Sequence, residues 1–276
     1  MAQVKALDVS SHSGPVPVEK WRVAQDDGVR LAIVQAWGGL PDGSMGPNPY
    51  CRQQLLGARE AGLLTAIYVW IPPDTTTDTS VLMQVAKDAA GDEYQHVSFV
   101  ALDIEDPQHR PLHPTLPEQR LENAIGHVRD KTAVIYTSRS MWPDLMKGWE
   151  SFAWLPLWDA SYAQGDQLDV NFRPYGSWTQ RAALQYEGSG TRYGIWSCAD
   201  VVDLVRLGIE EEPEPAENPY PLSLALLVKR FANITDAFPL EQDEKDDPAR
   251  EAKEIVAWQD LYDQEVAWRR SWFGRE

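Results

Sequence analysis

The chain has 276 residues, 43% of them apolar, and a formal net charge of −17 at neutral pH, which fits one large domain or a domain of about 200 residues with a small appendage. A surface this acidic repels nucleic-acid phosphates and offers no charge-driven capture on an anionic envelope, which speaks against a DNA or RNA role and against simple electrostatic wall binding. No apolar run approaches the roughly 20 residues of a membrane helix, so no membrane insertion is expected; the start M-A-Q-V-K-A-L-D-V-S lacks a basic segment followed by an apolar one, and no conventional secretory signal is expected either.

Short strand-like runs recur from the start: K-A-L-D-V at 5–9, L-A-I-V-Q-A at 31–36, T-A-I-Y-V-W-I at 65–71, V-S-F-V-A-L-D-I-E at 97–105 and T-A-V-I-Y-T at 132–137. Their spacing of about thirty residues is that of a strand plus a helix. Helical patterns fill gaps at 49–61, ending before Gly62, at 79–90 and at 117–129. Such alternation predicts parallel strands with helices outside. After Tyr136 the rhythm changes: P-L-W-D-A-S at 156–161, A-A-L-Q-Y at 182–186 and a run near Gly194 read as strands with little helix between them. The expected architecture is α/β, a modified TIM-like barrel of five β/α units followed by three β-strands, with an open doubly wound sheet as the alternative. No G-x-G-x-x-G follows the first strand, which weakens a dinucleotide-binding version. The two cysteines, Cys51 and Cys198, match no ligand spacing and are read as free buried thiols.

Residues 208–221, G-I-E-E-E-P-E-P-A-E-N-P-Y-P, have the composition of a linker stiffened by proline and extended by repelling glutamates. Beyond it, 222–232 reads as an apolar helix, and a second helix starts at Asp247 and Pro248 and carries Trp258, Trp268 and Trp272. Two helices make a poor independent core. The expected division is therefore a barrel over 1–207, the linker over 208–221, and a helical segment over 222–276 that docks on the barrel, a second copy or another protein.

The run at 97–105 ends on two acids one residue apart. Side chains alternate along a strand, so Val100, Leu102 and Ile104 face the helices while Ala101, Asp103 and Glu105 face the barrel interior. Barrel active sites lie at the C-terminal ends of the strands, where this pair falls. Two carboxyls about 6.6 Å apart along the strand suit glycoside hydrolysis. One, with a raised pKa, protonates the leaving oxygen; the other stabilises developing positive charge. Glu105, nearer the rim and longer, is the expected acid, with a charged Asp103 raising its pKa. The spacing leaves retention or inversion open, and a D-x-E can also simply cap a following helix, as Asp106 before Pro107 is expected to do. Asp8 ends the first strand at the same rim, Tyr136 and Tyr186 end others, and Trp37, Trp70 and Trp158 fall near strand ends, as a sugar-stacking groove requires; for Trp70 core packing is the preferred reading.

The ordered set D-V-S-S-H-S-G at 8–14, A-L-D-I-E-D at 101–106, A-V-I-Y-T at 133–137, P-L-W-D-A-S-Y at 156–162 and L-Q-Y-E-G-S-G…Y-G-I…V-D-L at 184–204 resembles the family 25 glycoside hydrolases, lysozymes that cut bacterial peptidoglycan. The resemblance implies the same barrel, and cleavage of the β-1,4 bond between N-acetylmuramic acid and N-acetylglucosamine in the glycan strand of peptidoglycan. It implies Glu105 as general acid, Asp103 as the carboxylate that orients or stabilises the 2-acetamido group, and Asp8 and Asp203 as further active-site acids. Trp37 is read as substrate-binding from its place at a strand end; Tyr68, Tyr136, Trp158, Gln185 and Tyr186 match cleft positions. No metal or organic cofactor is expected. The chain departs from the family at Q-A-W-G-G over 35–39, where K-A-T-E-G is common, at Ser13, where Gln is usual, and at Asp159, in place of an apolar residue.

Other readings stay open: a non-catalytic glycan-binding or structural barrel, a hydrolase of another N-acetylated glycan, and a metallohydrolase that adds His109 and His113 to the acid pair. The barrel, the appendage and the missing signal point to a bacteriophage lysin made in the cytoplasm and delivered to the wall by holin-type release or in a virion, with self-association or virion contact through 222–276. N-I-T at 233–235 is discounted as a glycosylation acceptor without a secretory route.

Overall fold

A computed structural model describes residues 3–72, 78–106, 117–147, 149–162 and 165–209. His109, His113, the linker from 210 onward and the segment 222–276 lie outside these residues.

Among the described residues, nine strands form one sheet that closes on itself. β1 (Gln3–Val9), β2 (Val29–Gly39), β4 (Leu64–Trp70), β5 (Val97–Asp103), β6 (Thr132–Thr137), β7 (Leu157–Ala160) and β8 (Ala183–Arg192) run parallel in that order. β9 (Ile195–Asp203) runs antiparallel to both β8 and β1 and completes the ring. The short β3 (Met45–Pro47) pairs only with the far end of β2, from Trp37 to Gly39. Helices α1 (Val18–Asp26), α2 (Cys51–Glu60), α3 (Thr79–Ala90), α4 (Pro117–Gly126) and α5 (Trp142–Met146) follow β1, the β2–β3 pair, β4, β5 and β6. This is the expected modified TIM-like barrel, five β/α units and then three strands.

Strand alternation sorts the core into two layers. Leu7, Val9, Ile67, Val69, Val100, Leu102 and Ile104 face the helices, whereas Ala6, Ile33, Ala66, Phe99, Ala101 and Val134 fill the barrel. The interior is apolar at its floor and becomes polar one step higher, at Asp8, Gln35, Asp103, Tyr136 and Gln185. Helix α3 starts on Asp78, whose carboxylate accepts from the Ser80 N–H, and stops at Gly91 with φ 59°.

Among the described residues no helix follows α5, and Asp159 supplies the reason that the stretch between β7 and β8 holds together. Asp159 sits on the outer face of β7, where an apolar residue would meet a helix. Its carboxylate instead accepts from Arg181 at 2.8 Å and from the Tyr175 hydroxyl at 2.7 Å. Arg181, fully buried, also donates to the carbonyls of Leu168 and Val170. The 165–181 segment is thus wound around one internal cation, a charge-assisted network in place of an apolar helix face.

Candidate active site

At the C-terminal ends of the parallel strands lies a cleft of about 210 Å³ with Asp8, Tyr68, Asp103, Glu105, Tyr136, Trp158 and Gln185 in its lining. Strand parity places them: Asp8 is the last but one residue of β1, Asp103 closes β5, and Glu105 stands two residues on, just past the strand.

Gln185 is the hub of one wall. Its Oε1 accepts from the hydroxyls of Tyr136 at 3.0 Å and Tyr162 at 2.7 Å, so its Nε2 is left to donate to Asp8 Oδ2 at 2.7 Å. Two donors on one oxygen fix the amide orientation. Asp200 Oδ1 accepts from Trp158 Nε1 at 2.9 Å, its Oδ2 is buried without a hydrogen-bond donor among the described residues, and the charge of Asp8 adds to burial in raising its pKa.

Asp8, Asp103, Glu105 and Asp200 share this low-dielectric space. Burial is the largest cause that raises each of them above its ordinary range. Glu105, the least buried, is pushed up to about 7, first by burial and then by the charge of Asp8. The deeper Asp103 is held well above the carboxylate range by burial, then by Glu105 and Asp8. Like charge among Asp103, Glu105 and Asp8 thus adds to burial in holding the protons of this cluster. A cluster of this kind holds protons ready near neutral pH and gains when a positive charge forms beside it.

The same shifts carry a stability consequence. A carboxyl whose pKa is higher folded than unfolded costs folding free energy as it ionises. Stability is full below about pH 4 and declines as pH rises. Asp200→Asn removes one such cost and keeps the Trp158 bond through its amide oxygen. Its expected thermal midpoint equals wild type at pH 4 and exceeds it at pH 8.

Three expected site residues are placed elsewhere. Asp203 pairs with Gln3 at the start of β1, at the opposite end of the barrel from Asp8, which pairs with Cys198; its carboxylate holds the Arg206 N–H and guanidinium. Asp200, three residues earlier, faces inward. Parity could have found it: Val202 belongs to the barrel interior, so Asp200, Cys198 and Trp196 share its face and Asp203 does not. Tyr186 lies against Leu168, Leu184 and Val201, away from the cleft. Trp37 stacks on Trp70, with centroids 6.2 Å apart and planes within 14°, and packs toward the helix side.

Ser10, Tyr162, Ser189, Trp196, Ser197 and Cys198 complete the lining. Cys198 is therefore a cleft residue and not a core thiol; burial raises its pKa, so it stays a protonated, unreactive SH. Cys51 is a buried free thiol pushed up to about 12.

The departures at the rim acquire structural roles. Gln35 Oε1 accepts from the Ser11 N–H at 2.9 Å, and its backbone carbonyl accepts from Asn48 Nδ2 at 2.9 Å. A Cβ at Gly38 would stand 2.4 Å from Gln35 Nε2, so a side chain there would displace the Gln35 amide. Ser13 shares a capping box with Ser10 and donates through its hydroxyl to the carbonyl of Trp196, while Lys20 Nζ donates to that of Gly194. The loop after β1 thus anchors the β8–β9 hairpin.

The sequence pattern described as Glycosyl hydrolases family 25 matches residues 7–195. "Probable GH family 25 lysozyme 2" of Dictyostelium discoideum is 25% identical over 198 residues, spanning 71% of this chain and 89% of that protein. The fold resembles that of a glycosyl hydrolase 25 virulence factor of Streptococcus pneumoniae, with TM-score 0.56, 17% identity and coverage of 74% of this chain and 90% of that one. It also resembles the catalytic domain of endolysin ply40 from a Listeria monocytogenes bacteriophage, with TM-score 0.55, 17% identity and coverage of 75% and 96%.

Proposed function

The chain belongs to glycosyl hydrolases family 25, and from that premise we propose that its cleft cleaves the β-1,4 bond between N-acetylmuramic acid and N-acetylglucosamine in peptidoglycan. The observation that carries this reading is the carboxyl cluster at the barrel mouth, with Glu105 pushed up to about 7 beside the deeper Asp103. Glu105 donates its proton to the glycosidic oxygen as the bond from that oxygen to the anomeric carbon breaks. Positive charge develops at the anomeric carbon. The Glu105 carboxylate so formed takes up the proton of Asp103, and the Asp103 carboxylate left beside the anomeric carbon stabilises the cation or the adjoining 2-acetamido group. Water adds its oxygen to the anomeric carbon and leaves its proton on a cleft carboxylate. Asp8 and Asp200, with Gln185 bonded to Asp8, keep the cluster's remaining charge in place.

Tyr68, Tyr136 and Trp158 form the inner aromatic wall, and the exposed Tyr162 and Trp196 form the lip on which a second sugar ring stacks. Trp196→Ala is expected to raise KM about fivefold, an aromatic contact of about 1 kcal/mol, with kcat within threefold. The reading is tested by reducing-end release from purified peptidoglycan with identification of the new ends. New ends at muramic acid support it; ends at glucosamine alone, or none on several wall chemotypes, sink it.

We also propose that the enzyme is a bacteriophage lysin reaching the wall by holin-type release or in a virion, and that 222–276 is a separate segment for self-association or a virion partner. The support is the family, the likeness to a phage endolysin catalytic domain and the acidic, tryptophan-bearing composition of the tail.

A further inference from the structure

We propose that Trp70, backed by Trp37, is a positioning residue that sets where the Glu105 carboxyl stands; the inference rests on Glu105 being the general acid. Glu105 lies on irregular backbone past the end of β5, where no ladder fixes it, and buried backbone groups there must find other partners. On the β6 side, Ile104 N–H donates to the Tyr136 carbonyl and the Thr137 hydroxyl donates to the Ile104 carbonyl, both at 2.8 Å. Asp106 N–H donates to Met141 Sδ at 3.2 Å. On the β4 side the ladder's last bond is Ile71 N–H to the Asp103 carbonyl at 2.9 Å. The carbonyl of Glu105 itself is held by a side chain: Trp70 Nε1 donates to it at 2.8 Å.

Trp70 stands outside the cleft lining, so it acts through Glu105 and not on the glycan. Its ring is fixed in turn by Trp37, stacked nearly parallel on it. Trp37 reaches that position because the β2–β4 register shifts between Gln35 and Trp37. A bulge re-aims the side chain beyond it. The Gln35–Ser11 bond and the close approach of Gly38 to Gln35 hold that bulge. The Q-A-W-G-G segment thus forms a rigid relay from the β2 end, through two indoles, to the backbone of the acid. A carboxyl displaced by about 1 Å costs on the order of 100-fold in rate.

The test compares steady-state kinetics and rate–pH profiles on solubilised peptidoglycan glycan strands for wild type, Trp70→Phe, Trp37→Ala and Glu105→Gln. Trp178→Phe serves as control, since it removes a like indole bond (to the Leu155 carbonyl, 2.9 Å) far from the cleft. Expected for Trp70→Phe is a kcat about 10–100-fold lower, KM within threefold and a displaced basic limb of the pH profile. Trp37→Ala moves the same quantities by less, and Trp178→Phe leaves the pH profile unmoved. Wild-type kcat and pH profile in Trp70→Phe, beside an inactive Glu105→Gln, overturns the positioning role alone. Equal kinetic losses in Trp70→Phe and Trp178→Phe also overturn it, as general loosening. An active Glu105→Gln overturns both this role and the acid assignment.

Discussion

Glu105→Gln is expected to lose about 10²–10⁴ of the cleavage rate on peptidoglycan while remaining folded. The amide matches the carboxyl in size and can still accept a hydrogen bond, but it has no acidic proton for the leaving oxygen. Wild-type activity is expected to fall as pH rises through about 7, where Glu105 loses that proton. The variant's residual activity loses this limb. Stability moves the opposite way. The Glu105 pKa lies above its ordinary value of 4.5, so ionisation costs the native fold between about pH 4.5 and 7 and beyond. Glutamine removes that cost, a gain of ~1–3 kcal/mol at pH 8 that vanishes at pH 4. Reduced activity with a raised thermal midpoint at pH 8 separates loss of the acid from misfolding. A variant at wild-type rate would remove Glu105 from the chemistry.

Asp159→Ala is expected to cost about 3–5 kcal/mol, the largest stability effect of any single change considered. Arg181 has no exposed surface, and alanine would take the Asp159 carboxylate away from its buried guanidinium. The Tyr175 hydroxyl would lose its acceptor at the same time. At roughly 2–4 °C per kcal/mol for a domain of this size, the thermal midpoint should fall by about 6–20 °C. Asp159→Leu combined with Arg181→Met should recover much of the loss, because removing both charges removes the penalty of burying either. A denaturation midpoint within about 1 °C of wild type for Asp159→Ala would show that the cation is not what organises 165–181.

The strands of the parallel part are legible because each is a compact apolar run with turn residues on either side. The α3 range of 79–90 is legible because its apolar period and both caps agree. Helix α1 is not: V-E-K-W-R-V-A-Q-D buries only Trp21 and Ala24, too little for a periodic signal. Helix α5 has five residues and β3 three, and both are set by what they pair or pack with. In the site, Asp8, Asp103 and Glu105 are legible because short strands of clear parity deliver them to one rim. Asp203 and Tyr186 mislead because any odd offset along a strand exchanges its two faces, three residues between Asp200 and Asp203 and one between Gln185 and Tyr186. The register of β8 is further shifted between Gln185 and Glu187. Asp159 reads only as an oddity in sequence, because its partner Arg181 lies 22 residues away.

The reversal of β9 has a consequence for how this enzyme could change. Around most of the rim, one strand and the next are separated by a helix, so altering a loop there risks disturbing a helix dock. Between β8 and β9 the chain turns straight back, at Tyr193 and Gly194, and the hairpin carries Ser189, Trp196 and Cys198 into the cleft. Its length and side chains can therefore drift while the acids below stay put. Natural variation and laboratory libraries confined to 187–197 would retune which glycans fit without touching the carboxyl cluster on β1 and β5.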